Sequence, residues 1–548
     1  MALPSGGLVA RAHPRRGVRR TGLGLVTAAV LAVTGCAASV QGAGGGAQDQ
    51  AADELRVAIT SYPSSWDQDF VAFDLPALTL FKNIYPYLVD YGVTAVDGGQ
   101  TLDTANIFPT WAESFTSDDG QTWTLRLREG AAFPNGNPLT ASDVKWSKDR
   151  ALAANANVAG VYRLIGLTSP DQIRVVDDRT VVFEQDWPSA LTEQVQAISL
   201  FVHDAETMQQ HATPDDPWAQ EWAAQNPTDG GYYVVAEATP GQEIVLRANP
   251  AYPADNAAEI ETIRFTVVPD TASAALLLRE GDVDVAMGLS AAEIADLEGA
   301  PGVEVLSTPS NEQVSLPMNT TAAPFDDVLV RRAVASALPY EQIIATVYGG
   351  EARRPHSLVP IDMPGYTEAG FPYEQDIAEA TRLMAESGAG AVTVDLAYPA
   401  EDRASEQIAI LVKDALAPIG ITATPLPLDP ATIGERRAAG DLDMQVATGQ
   451  QWVNDVEYLV NTTFASNGYL NYANYSSPEV DAAVEGARTI TDESAREAIW
   501  AQVQAALARD VPAIPLAQPN FALPVRDDVG GFVQPVDGLI RFNTFTRG

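Results

Sequence analysis

An α/β body behind a short cationic-then-apolar leader is the architecture this sequence predicts, and three observations predict it. Strand-like and helix-like stretches alternate along the chain. Hydrophobic residues make up 46% and charged residues 19%, a globular composition with ample material for a core. Beyond the leader, no run approaches the 18 or so apolar residues that a membrane span requires. With 548 residues, the chain can form several domains or one large discontinuous fold.

The leader comes first. Arg11, Arg15, Arg16, Arg19 and Arg20 precede an apolar run from Leu23 to Val33. As a helix that run reaches about 16 Å, against about 30 Å of bilayer hydrocarbon, so residues 1–35 read as a signal peptide rather than a span. Arg19-Arg20 leaves both general and twin-arginine export open. Thr34-Gly35-Cys36 resembles a bacterial lipobox, which implies a lipidated Cys36 as the mature N-terminus and a lipid anchor on the extracytoplasmic face of the cell membrane. Cys36 is the sole cysteine, so no disulfide forms within the chain and no thiol nucleophile is left over. Residues 36–52, rich in Ala, Gly and Gln, read as a flexible tether. Gly44-Gly45-Gly46 follows no strand and opens no helix, so it is not a nucleotide loop. The net charge of −39 argues against nucleic acid and anionic lipid as partners, and loss of the leader makes the body more acidic still.

In the body, Leu55–Ile59, Trp123–Leu127, Arg174–Phe183 and Glu243–Leu246 carry strand patterns. Ser273–Arg279, Asp376–Glu386, Ser405–Ala417 and Ala495–Arg509 carry apolar residues at helical spacing, the last placing Ile499, Val503, Ala506 and Leu507 on one face. Ser117-Asp118-Asp119-Gly120 and Pro134-Asn135-Gly136-Asn137-Pro138 are turns, and Thr140 with Asp143 is a capping box.

Catalytic patterns are missing. The four histidines show no His-Glu-x-x-His spacing, and no Gly-x-Ser-x-Gly elbow occurs. His203, Glu206 and His211 match no standard metal spacing, so these histidines are expected at the surface. Asp118/Asp119 and Asp326/Asp327 are accounted for by turns and helix starts. The chain is expected to be no enzyme and to need no cofactor and no metal.

One long segment is more specific. Asp119-Gly120-Gln121-Thr122-Trp123, Leu127-Arg128-Glu129-Gly130, Phe133, then Gly136-Asn137-Pro138-Leu139-Thr140-Ala141 and Asp143-Val144 resemble the signature of family 5 extracellular solute-binding proteins, the oligopeptide- and dipeptide-binding group. Further blocks follow in that family's order: Val175–Phe183, Ile244–Asn249 with Tyr252, Arg279–Asp284, Pro324–Ala333, Ser477–Asp481 and Asp510–Leu516. The resemblance extends over about 55–545. It departs where Asp229-Gly230-Gly231-Tyr232-Tyr233 has Tyr in place of the family's Pro.

The resemblance implies a two-lobed periplasmic-binding-protein-like fold of type II, cluster C kind, with a small insert domain and a hinge of connecting strands. On it, lobe I maps to 53–90, 173–266 and 513–548, the insert to 91–172 and lobe II to 267–512. It implies a monomer that closes on an oligopeptide and docks on the permease subunits of an ABC transporter. Asp455, in Gln451-Trp452-Val453-Asn454-Asp455, is expected to meet the peptide's ammonium, with Trp452 and Asn454 beside it. In place of the family's usual Asp-Pro or Glu-Pro, Val456-Glu457-Tyr458 follows. Phe70, Phe73 and Tyr162 fall where the family contacts ligand from the other side, whereas Phe464, Tyr469, Tyr472 and Tyr475 read as packing. Two alternatives stand: the same fold holding an oligosaccharide, metal complex or other small solute, and a signalling receptor without transport.

Overall fold

The computed structural model describes residues 53–71, 74–96, 99–253, 255, 257–490 and 492–548. The leader, Cys36, the tether and Phe73 lie outside the described residues.

The strand Glu54–Ile59 occupies the middle of a seven-stranded sheet, parallel to Thr262–Val267 on one side and Val285–Ala286 on the other. Leu55, Val57, Ala58 and Ile59 are all buried because both faces of the sheet are covered, which is why this strand reads as nearly continuous apolar sequence. Glu243–Ala248 and Tyr233–Thr239 extend the sheet antiparallel on one flank, and Phe521–Arg526 and Val303–Thr308 complete the other. Gly230 and Gly231 lead into Tyr233 with both N–H groups donated to the Ile84 carbonyl, at 2.8 and 2.7 Å. A Cβ on Gly231 would stand 2.6 Å from the Tyr85 carbonyl oxygen, so glycine is required by the close approach and the Tyr that follows is tolerated.

A smaller antiparallel sheet orders Ala112–Thr116, Thr122–Leu127, Thr180–Glu184 and Ile173–Asp177. Trp123 stacks on Phe115 at 4.7 Å between ring centroids. The helix Ala141–Ala153 starts where expected, Asp143 accepting from both the N–H (2.8 Å) and the hydroxyl (2.6 Å) of Thr140. The hairpin 173–184 therefore belongs with 112–127, and the expected boundary between insert and lobe I at 172/173 cuts through one hydrogen-bonded sheet.

The other half holds two sheets. Ala352–Arg353, Ala513–Pro519, Gln313–Pro317 and Ala447–Gly449 form one, and Ile421–Leu428, Val392–Pro399 and Met444–Gln445 the other. Around them pack amphipathic helices. Arg403–Leu416 buries Ile408, Ala409, Val412 and Leu416, and Asp402 caps its first turn. Glu493–Asp510 buries Trp500, Val503, Ala506 and Leu507, with Ile499 packed alongside.

The chain passes between the halves at two adjacent places, from Thr308 to Gln313 and from Pro519 to Phe521. The expected start of lobe II at 267 is thus too early: Val285–Ala286 and Val303–Thr308 hydrogen-bond into the sheet of Glu54–Ile59. Likewise Ala513–Pro519, expected in lobe I, is a strand of the other half. Sheet membership depends on partners distant in sequence, and strand pattern alone does not reveal them.

Candidate functional site

A cavity of about 240 Å³ opens beside the first crossing, with walls from both halves. Leu75 and Leu78, on the helix Leu75–Ile84, contribute one side. The helix is set by Asp74, which accepts from the Ala77 N–H at 3.1 Å, and by Pro76 in its first turn. On the other side stand the aromatic residues Trp452, Tyr458, Phe464, Tyr469 and Tyr472. Of the residues read from sequence as packing, Phe464 and Tyr475 are buried in one hydrophobic core, while Phe464, Tyr469 and Tyr472 also line the wall; Tyr475 does not, its hydroxyl donating to Asp510 at 2.8 Å. The signal that separates them is the turn of π-helix at 460–464 and the loop after it, which sequence periodicity does not report.

The polar part of the wall is Glu312, Gln313, Ser315, Thr448, Gln450 and Gln451. Asn311, next to Glu312, anchors the loop by donating from Nδ2 to the Gln451 carbonyl at 2.9 Å, and Gln313 donates to the Ser357 carbonyl at 3.0 Å. Ala447–Gly449 pairs with Gln313–Ser315, is the outermost strand of its sheet with one edge lacking a strand partner among the described residues, and lines the cavity.

The residues expected to bind ligand separate into distinct environments. Trp452 is on the wall, half-buried and packed against the core of the first half. Asn454 ties the halves together: its N–H donates to Gln194 Oε1 at 3.0 Å and its amide reaches Thr104 Oγ1 at 3.5 Å. Asp455 is occupied otherwise. It caps the short helix Val456–Leu459 through the Glu457 N–H (2.8 Å), and both its oxygens accept from Arg496, at 2.9 and 3.1 Å. Arg496 also meets Glu457 at 3.0 Å, and burial nevertheless pushes the Glu457 carboxyl up to about 7. A capping carboxylate already joined to a guanidinium is a structural anion, and it does not line the cavity. Val456 sits at N1, and Asp455 takes the cap.

Tyr162 is buried in the core, accepting from Lys148 Nζ at 2.7 Å and donating to the Ser199 carbonyl at 3.1 Å, far from any wall role. Phe70 is half-buried and lies under the Arg150 guanidinium, 5.4 Å from its ring centroid, not on the wall. His203 corrects the expectation of surface histidines: it is fully buried, with Nδ1 2.8 Å from Thr228 Oγ1 and Nε2 3.2 Å from Asp69. Asp67, Asp69 and His203 could in principle hold a cation, but Arg150 donates to both carboxylates, and its guanidinium fills that role.

Comparison with known proteins shows the family and the fold. The model of the bacterial extracellular solute-binding proteins, family 5 Middle, matches residues 106–471, more than half of the chain. The probable D,D-dipeptide-binding periplasmic protein DdpA of Escherichia coli K12 is 26% identical over 488 residues, 86% of this chain and 92% of that protein. The heme-binding protein A of Haemophilus influenzae is 26% identical over 487 residues, 84% of this chain and 86% of that one. Among solved structures, the periplasmic binding protein DppA of Helicobacter pylori, in complex with the peptide STSA, superposes with a TM-score of 0.79 at 22% identity, covering 91% of this chain and 99% of that one.

Proposed function

For a chain that belongs to the bacterial extracellular solute-binding proteins of family 5, we propose that it captures oligopeptides of short length between its two halves and delivers them to the permease of an ABC importer. The observation that carries the reading is the open edge of Ala447–Gly449 on the cavity. An extended peptide satisfies such an edge as an added strand, through main-chain hydrogen bonds that are indifferent to side-chain identity. Aromatic walls take variable side chains, and the Gln450 and Gln451 amides complete polar contacts. A volume of about 240 Å³ is small beside the roughly 300–1,000 Å³ of ligand pockets in general, which favours short ligands. The dipeptide and peptide named for DdpA and DppA support the same class.

Closure in this reading bends the chain at 309–312 and at 520, and the contacts of Asn454 with Gln194 and Thr104 belong to the closed state. Cys36 carries the lipid and the 36–52 tether spaces the body from the membrane; no helix among the described residues is long and apolar enough to cross one. The test is native mass spectrometry of the full-length protein purified in mild detergent without added ligand, followed by sequencing of what denaturation releases. Short peptides support the reading; a haem, a sugar or a single non-peptide metabolite overturns it and leaves the fold untouched.

A further inference from the structure

Every residue on the cavity wall is apolar or neutral except Glu312. It enters on the first crossing between the halves, its N–H donated to Ser310 Oγ at 3.2 Å, and it is half-buried. Among the described residues no hydrogen bond or ion pair reaches its carboxylate. The charge that faces it is another acid, Asp402, the cap of the helix Arg403–Leu416, and the Tyr348 phenol lies within electrostatic reach of both carboxylates. Among the described residues no cation offsets this group.

Resting on the reading of the cavity as the solute site, we propose that Glu312 is its charge-selecting residue, so that the protein takes ligands carrying an ammonium or guanidinium group beside an apolar body. Desolvation and the Asp402 charge push the Glu312 carboxyl up to about 7 in the empty cavity. A ligand cation replaces the missing counter-charge and holds the carboxylate ionised, in a charge-assisted contact that a neutral solute does not make. An anionic ligand adds a third negative charge. The aromatic residues Trp452 and Tyr469 accept the apolar body and favour a cation near their faces, while Tyr472 already carries the Arg437 guanidinium, 3.4 Å from its ring centroid. Because the crossing carries Glu312, the contact forms where closure bends the chain, which links cation capture to the closed state.

The full-length wild-type protein and Glu312→Gln are each incubated with one equimolar pool: free-amine dipeptides, their N-acetylated counterparts, non-peptide primary amines, and neutral sugars. Retained members are read by native mass spectrometry at pH 8 and pH 6. Expected is retention of free-amine dipeptides, not of the acetylated ones, about fivefold weaker at pH 6 than at pH 8, because capture at the lower pH must first remove a proton from Glu312 while at pH 8 about half of the α-amine is already neutral. Glu312→Gln lowers affinity by about tenfold or more at pH 8 and abolishes the weakening at pH 6. The variant loses an uncompensated charge, so an unchanged or raised Tm shows that the loss is not unfolding. Glu312-dependent retention of non-peptide amines alone supports the cation selector and overturns the peptide reading. Equal retention of free and acetylated dipeptides, or a Glu312→Gln variant that binds as the wild type does, overturns the selector and keeps the peptide reading. Retention of sugars alone, or of nothing, overturns both.

Discussion

Two clusters of buried carboxylates in this molecule are treated in opposite ways. Where the helix Leu75–Ile84 meets the C-terminal segment, Lys82, Asp90, Asp537 and Arg541 are all buried, and each acid has a cation: Lys82–Asp90 at 2.9 Å, Arg541–Asp90 at 2.8 Å and Arg541–Asp537 at 2.7 Å. The charges balance two against two, and Asp90 is held down to about 2 by Arg541 and Lys82 against its burial. On the cavity side, Asp455 and Glu457 both meet the guanidinium of Arg496, and among the described residues no cation reaches Glu312. Compensated charges fix one arrangement of the chain; an uncompensated charge is stable only in company that the protein itself does not supply.

The largest expected effect breaks the balanced end. Arg541→Met leaves Asp90 and Asp537 buried with Lys82 alone, which costs about 3–5 kcal/mol in denaturant unfolding. A cost under about 1 kcal/mol would show that these ion pairs are bystanders. Next, Trp452→Ala removes a wall residue with no part in either charge cluster. Ligand affinity falls by about 2 kcal/mol, roughly thirtyfold, in calorimetry with whichever ligand co-purifies.

Glu457 tests the shared cation. Its folded pKa of about 7 lies above the ordinary glutamate value, so the native state holds a proton that the unfolded state has released. Its stabilising contribution is complete below about pH 4.5 and is lost as pH rises towards 7, at up to about 1.4 kcal/mol per pH unit. Glu457→Gln flattens that part of the stability–pH curve, and an unchanged slope refutes the assignment. The smallest effect concerns Asp455. Asp455→Ala removes a helix cap and one of two partners of Arg496, costing about 1 kcal/mol of stability, while ligand affinity stays within about threefold. A loss of tenfold or more in affinity would return Asp455 to the ligand.

Much of this was legible in the sequence, and the reason differs by level. Glu54–Ile59, Thr122–Leu127, Thr271–Glu280, Arg403–Leu416 and Glu493–Asp510 were readable because period and capping are local: an Asp such as Asp402 before an amphipathic run fixes a helix whatever lies around it. The family, too, was readable, since the turns and strand of 119–144 stand in fixed order. Trp452, expected from its motif beside the ligand, lines the cavity. The rest required tertiary partners. That Val303–Thr308 joins the sheet of Glu54–Ile59, and that Ala513–Pro519 does not, depends on pairings across hundreds of residues. Tyr162 and His203 carry polar atoms that sequence cannot assign to core or surface until Lys148, Thr228 and Asp69 are seen to satisfy them. Asp455 and Glu312 are the sharpest case, both acids in a chain of net charge −39. What separates the helix cap from the candidate selector is only whether a guanidinium, here Arg496, arrives from elsewhere in the fold, and charge compensation in space leaves no trace in residue order.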